Sequence, residues 1–112
     1  MKKIEAIVRP EKVQEVRVAL DRAGWSGLTI EEVEGHGKQK GITQQWRGES
    51  YQIELLPKFR IEVVVPDSEV EKIIEVICKA AKTGSVGDGK IFVLEVLDAV
   101  RIRTDERGEA VL

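Results

Sequence analysis

The sequence predicts an α+β domain built as β-α-β-β-α-β, and three repeated observations predict it. Two β-rich runs are each closed by a proline, an apolar stripe of helical period follows each proline, and a further β-rich run follows each stripe. Ile4-Glu5-Ala6-Ile7-Val8 ends near Pro10, and Ile61-Glu62-Val63-Val64-Val65 ends at Pro66. After Pro10, Val13, Val16, Leu20 and Ala23 recur on one face, and Gly24 supplies a stop. After Pro66, Val70, Ile73, Ile74, Ile77, Cys78 and Ala81 form a wider stripe; Ser68 and Glu71 are placed as a capping box and Gly84 as the stop. The strands that follow run from Leu28 to Val33 and from Ile91 to Val96. The chain reads as an internal duplication.

Two such units in 112 residues match the ferredoxin-like arrangement, in which a four-stranded antiparallel sheet carries both helices on one face. The opposite face is then uncovered, and apolar residues on it predict a homo-oligomer with binding sites between subunits. Residues 1–112 form one domain, with a long partner loop over about 36–57, a glycine loop over about 83–90 and a C-terminal segment over about 97–112. The long connection is polar and glycine-punctuated, which predicts a mobile, protruding surface. Trp46 and Tyr51 within it are amphipathic residues favoured at contacts.

A net charge of −2 argues against sequence-independent nucleic-acid binding, so any anion site is local. Cys78 is the single cysteine and lies in an apolar stripe, which fits a reducing cytoplasm. The N-terminal run, with Lys2, Lys3, Glu5 and Arg9, is too polar for a signal peptide or a membrane span. His36 is the single histidine, and no set of nucleophile, base and orienting group can be assembled. A regulator is expected, not an enzyme.

Thr83-Gly84-Ser85-Val86-Gly87-Asp88-Gly89-Lys90 sits where the chain passes from helix to strand. Glycines let backbone N–H groups form a concave anion nest, and Lys90 adds a charge. The spacing approaches a Walker A motif, but Ile91 stands where a Ser or Thr would hold magnesium, and the helix-to-strand order is the reverse of a Walker loop. A tight turn and an anion site are equally consistent with this loop alone. Arg101-Ile102-Arg103-Thr104 adds two arginines at period two, which in an extended chain share one side and suit a polyphosphate, although taken alone the pair is better explained as a solvated edge strand whose charges resist aggregation.

Arg47-Gly48 through Tyr51, Leu56-Pro57-Lys58, Thr83-Gly84 with Val86 to Phe92, and Arg101 to Thr104 together resemble the PII nitrogen-regulatory signal proteins over essentially the whole chain. The resemblance implies a homotrimer with ATP or ADP bound competitively in each intersubunit cleft, and 2-oxoglutarate beside Mg-ATP. It implies nucleotide contacts at Thr29, Gly37, Lys38, Gln39, Val64, Gly87, Asp88, Gly89, Lys90, Arg101 and Arg103. It further implies 2-oxoglutarate contacts at Gln39, Lys40, Gly41 and Lys58, with Gln39 also holding magnesium. The long loop would signal to a target such as an ammonium channel, a nitrogen-metabolism enzyme or a transcriptional regulator, and Tyr51 stands at the family's uridylylation position.

The chain departs from the family pattern at several places. Lys38 replaces an arginine, His36 a phenylalanine, Trp46 a tyrosine and Asp105 a glycine, while Glu49 excludes serine phosphorylation at its position. Two other readings compete. An RNA-binding ferredoxin-like module needs stacking aromatics on the sheet, and a nucleotide hydrolase needs the hydroxyl missing after Lys90.

Overall fold

Strict alternation makes the first run a strand with one face for the core. The computed structural model describes residues 1–36 and 55–112 in full, with the strand backbone of 42–46 and 49–53 between them. In β1 (Lys2–Val8), Ile4, Ala6 and Val8 are buried, and Lys3, Glu5 and Ile7 face the other way. The chain continues through α1 (Val13–Arg22), β2 (Thr29–Gly35), β3 (Ile42–Trp46), β4 (Glu49–Ile53), β5 (Leu56–Val65), α2 (Val70–Ala81) and β6 (Lys90–Glu95). Four strands form one antiparallel sheet in the order β2-β5-β1-β6. The sheet carries both helices on one face, as the duplicated pattern predicts.

The core lies between that face and the helices. Val16 and Leu20 of α1 and Ile73 and Ile77 of α2 meet Ile4, Ala6, Ile61, Val63 and Val65. Burying each large aliphatic side chain contributes roughly 1.5–3 kcal/mol, so this layer is what holds the helices to the sheet.

The two halves start their helices alike and end them differently. A short 3-10 turn precedes each helix, Pro10–Lys12 before α1 and Asp67–Glu69 before α2. The expected capping box does not form: Ser68 lies inside the 3-10 turn, Glu69 is the N-cap of α2, and no side chain caps it. The backbone provides the turn instead, with the Glu69 N–H donating to the Pro66 carbonyl at 3.0 Å. Gly24 does end α1, at φ +94°, with its N–H donating to Asp21 and the Trp25 N–H donating to Leu20. This is the Schellman pattern. Gly84 does not end α2; the helix stops two residues earlier, where Lys82 turns extended.

The uncovered sheet face is not the apolar surface expected from the sequence. Arg60 stands between Glu31 at 3.0 Å and Glu5 at 3.4 Å, and Lys3 lies 3.9 Å from Glu62. Period-two alternation placed charged residues, not only Ile and Val, on that side of β1 and β5. Apolar exposure is concentrated at the β6 edge and beyond it, at Phe92, Val93, Leu94, Leu97 and Ile102, the last two almost fully exposed.

Within the long connection, β3 pairs antiparallel with β4 from Ile42↔Ile53 to Trp46↔Glu49, in a sheet of their own. Leu56 and Pro57 belong to β5, where they pair with Gly35 and Glu34. Among the described residues, no helix is long and apolar enough to cross a membrane.

Candidate functional site

The glycine loop joins α2 to β6, and its shape is set by one carboxylate. Asp88 Oδ2 accepts from the Thr83 and Gly84 N–H groups, each at 2.9 Å, and Oδ1 accepts from the Thr83 hydroxyl and from Arg9 Nε at 3.0 Å. These donors, the Thr83 hydroxyl foremost, hold the Asp88 carboxyl far below the usual carboxylate range. Gly84, Gly87 and Gly89 all take positive φ, between +89° and +105°. Glycine at 89 is required twice over, because a Cβ there would lie 1.7 Å from the Ile7 carbonyl oxygen.

Two cations are tucked under this loop. Arg9 Nη2 donates to the Val86 carbonyl at 2.8 Å, and Lys58 Nζ donates to the Gly87 carbonyl at 2.8 Å. Lys58 is 9% exposed, and burial, then the neighbouring Arg9 charge, pull its ammonium below the usual lysine value. Both loop carbonyls are therefore drawn inward. The peptide bonds are trans, so the N–H groups of Gly87 and Asp88 point the opposite way. Outward N–H groups on glycine-rich backbone are the elements of an anion nest.

Arg101 and Arg103 are not in the extended chain that the period-two argument required. Thr104 and Asp105 N–H both donate to the Arg101 carbonyl, so residues 101–105 make a tight reversal. Asp105 takes φ +61°, a left-handed conformation that strains an L-residue and that glycine adopts freely. The reversal closes a small hairpin: Val100 bridges Arg107, the Arg101 N–H donates to the Glu106 carbonyl, and the Gly108 N–H donates to the Ala99 carbonyl. Arg101 Nη1 is 3.0 Å from Glu106 Oε1, and Arg107 Nη1 is 2.8 Å from Asp98 Oδ2.

Thr29 and Val64 come together in a cleft of about 410 Å³, with Lys3, Trp25, Gly27 and Glu62. Val111 and Leu112 line it as well. Lys90 does not share this cleft. Thr29 lies three strands and two register steps from Lys90, and Val64 two strands and four steps, so each is roughly 16 Å away at strand spacing and rise.

Gly37, Lys38, Gln39, Lys40 and Gly41 lie outside the described residues, as do the side chains of Trp46, Glu49 and Tyr51. Sequence reasoning missed Arg9 and underrated the side chain of Asp88. Arg9 sits at the end of a strand, 79 residues from its carboxylate partner, and no local spacing reports such a pair. Among the described residues, no three side chains are gathered to hold a metal ion.

The model of the family "Nitrogen regulatory protein P-II" matches residues 1–106. Among similar curated proteins, "Nitrogen regulatory protein P-II 2" of Methanothermobacter thermautotrophicus is 54% identical over 109 residues, 97% of this chain and 95% of that protein. "Nitrogen regulatory protein P-II" of Mesorhizobium japonicum is 55% identical over 108 residues, 96% of each chain. Its namesake from Porphyra purpurea is 48% identical over the full length of both. A family model over nearly the whole chain and relatives about half identical to it agree, and this chain belongs to the P-II family of nitrogen regulatory proteins.

Proposed function

We propose that this chain is a nitrogen-, carbon- and energy-status signal protein that binds ATP or ADP competitively and 2-oxoglutarate beside Mg-ATP. The observation that carries the reading is the loop built on Asp88. It turns the Gly87 and Asp88 N–H groups outward beside Lys90, a ready cradle for phosphate oxygens. The residues fit a nucleotide phosphate: donors are fixed before the ligand arrives, and the loop's own carbonyls are turned away. Gln39 is the one residue assigned to magnesium, and it lies outside the described residues.

The active species in this reading is a homotrimer. The cleft holding Thr29 and Val64 is separated from the loop within one chain, and a second copy brings one copy's loop to another's cleft. The exposed Phe92, Val93, Leu94, Leu97 and Ile102 supply apolar surface for that contact. In this reading Lys58, which is held against the Gly87 carbonyl, meets a 2-oxoglutarate carboxylate beside the phosphates. Differential binding of ATP with 2-oxoglutarate, against ADP, then selects among states of the connection between β2 and β5. Target proteins read that connection, with Tyr51 as its site of uridylylation.

The open sheet face supports this reading over an RNA-binding module, since Phe92 is its one aromatic and ion pairs occupy its centre. Isothermal titration of the purified protein with ADP and ATP tests the proposal. Saturable binding is expected, weakened at least tenfold in the double variant Arg101→Ala, Arg103→Ala while the fold, read by circular dichroism, is kept. A folded trimer that takes up neither nucleotide overturns it.

A further inference from the structure

The two arginines of the C-terminal hairpin are in different electrostatic states. Arg101 is paired with Glu106, and its backbone N–H is tied to the carbonyl of the same residue. Arg103, at the tip of the reversal, has no ion-pair partner among the described residues. The left-handed Asp105 makes the chain double back, and that reversal delivers the Glu106 carboxylate to the guanidinium. Hydrogen bonding to Thr104, then the Arg101 charge, holds Glu106 in its ionised form.

We propose that Glu106 is a built-in counter-ion for Arg101, occupying the guanidinium where a polyphosphate would, and that it thereby sets the affinity for polyphosphate ligands. This rests on the nucleotide reading above, and it assigns a role to a residue that reading does not use. The argument is one of charge and geometry. A guanidinium binds one carboxylate or one phosphate along a given edge. A phosphate reaching Arg101 must displace the Glu106 carboxylate or sit beside it, and two anions a few ångströms apart repel. The pair is solvent-exposed, so it is weak and readily exchanged. Arg103 carries no such competitor and is the first point of contact. Selectivity follows: the more negative the ligand, the more strongly Glu106 opposes it.

Glu106→Gln tests the idea in the full chain. It keeps the side-chain shape, and the hairpin's backbone bond uses the Glu106 carbonyl, so the fold is retained. Binding of inorganic tripolyphosphate and of ATP is expected to tighten about 3- to 10-fold, and that of AMP by less. Asp98→Asn removes the other hairpin ion pair with the same change in net charge, and is expected to alter tripolyphosphate binding less than 2-fold. Weaker binding in Glu106→Gln would make the residue a positioning group for Arg101 and overturn the proposal. Unchanged binding, or an equal gain from Asp98→Asn, would overturn it too. If the unsubstituted protein itself takes up no ATP, the nucleotide reading falls and this inference with it; ATP uptake without a Glu106 effect defeats this inference alone.

Discussion

The glycine loop after α2 and the arginine hairpin after β6 are both short, polar and rich in positive-φ residues, yet they are held in place by different means. Residues 83–89 are fastened inward. Asp88 gathers donors from Thr83, Gly84 and Arg9, the Val86 and Gly87 carbonyls are capped by Arg9 and Lys58, and Gly89 is pressed against Ile7. Residues 97–108 are fastened to themselves, by backbone bonds and two exposed ion pairs. In the nucleotide reading proposed above, the first is preorganised and has nothing to release when a ligand comes, whereas the second is adjustable and has carboxylates to give up. Preorganised donors supply affinity, and adjustable ones supply discrimination.

The largest expected effect breaks the first region at its tightest point. Gly89→Ala places a methyl into the Ile7 carbonyl at a φ that L-residues avoid, and overpacking and backbone strain together should destabilise the fold by roughly 3–4 kcal/mol. Urea unfolding measures this, and an unchanged midpoint would show that the loop does not rest on β1.

That contact also shows how far the sequence was legible. The halves, their strands and their helices could be read because burial alternates at period two in β1 and the apolar stripes of α1 and α2 recur at helical spacing. Asp88, Gly89 and Lys90 were legible as a loop of interest for the same local reason. What could not be read was where each side chain goes. Arg9 pairs across the fold, Ser68 was taken up by a 3-10 turn, and Arg101 and Arg103 curl in a reversal made by the left-handed Asp105 and closed by Arg107 and Gly108. Local periodicity reports which face is apolar; it carries no information about polar pairs formed across a sheet.

A second, smaller effect sharpens the contrast. Asp88→Ala removes the acceptor from Thr83 and Gly84, and their amides should exchange with solvent at least roughly tenfold faster, while the core amides of β1 change little. The pH dependence has a definite sign. Because the folded carboxyl titrates below the unfolded value of about 3.9, its contribution is complete above that pH and is lost only as pH falls through the depressed folded value. Protection of Thr83 and Gly84 should therefore survive at about pH 4, where an ordinary aspartate is half protonated. Loss of that protection between neutrality and pH 4 would contradict the hydrogen bonds to Asp88.

The smallest effect belongs to the hairpin. Asp105→Gly relieves a left-handed aspartate at the cost of a freer unfolded chain, and the net gain should be about 0.5 kcal/mol. Thermal unfolding is the measurement, and a clear loss of stability would mean that the Asp105 side chain makes a contact worth more than the strain it brings.

Gly35, Lys58 and Gly87 form a stack whose consequence is mechanical. A Cβ on Gly35 would stand 3.1 Å from Lys58 Cγ, and Lys58 Nζ grips the Gly87 carbonyl. Gly35 and Leu56 are the last paired rung before the chain leaves the main sheet. The last rung of the main sheet and the floor of the glycine loop therefore meet at one lysine side chain. In the nucleotide reading proposed above, any shift of Gly87 is passed by this side chain to the rung at which the connection begins.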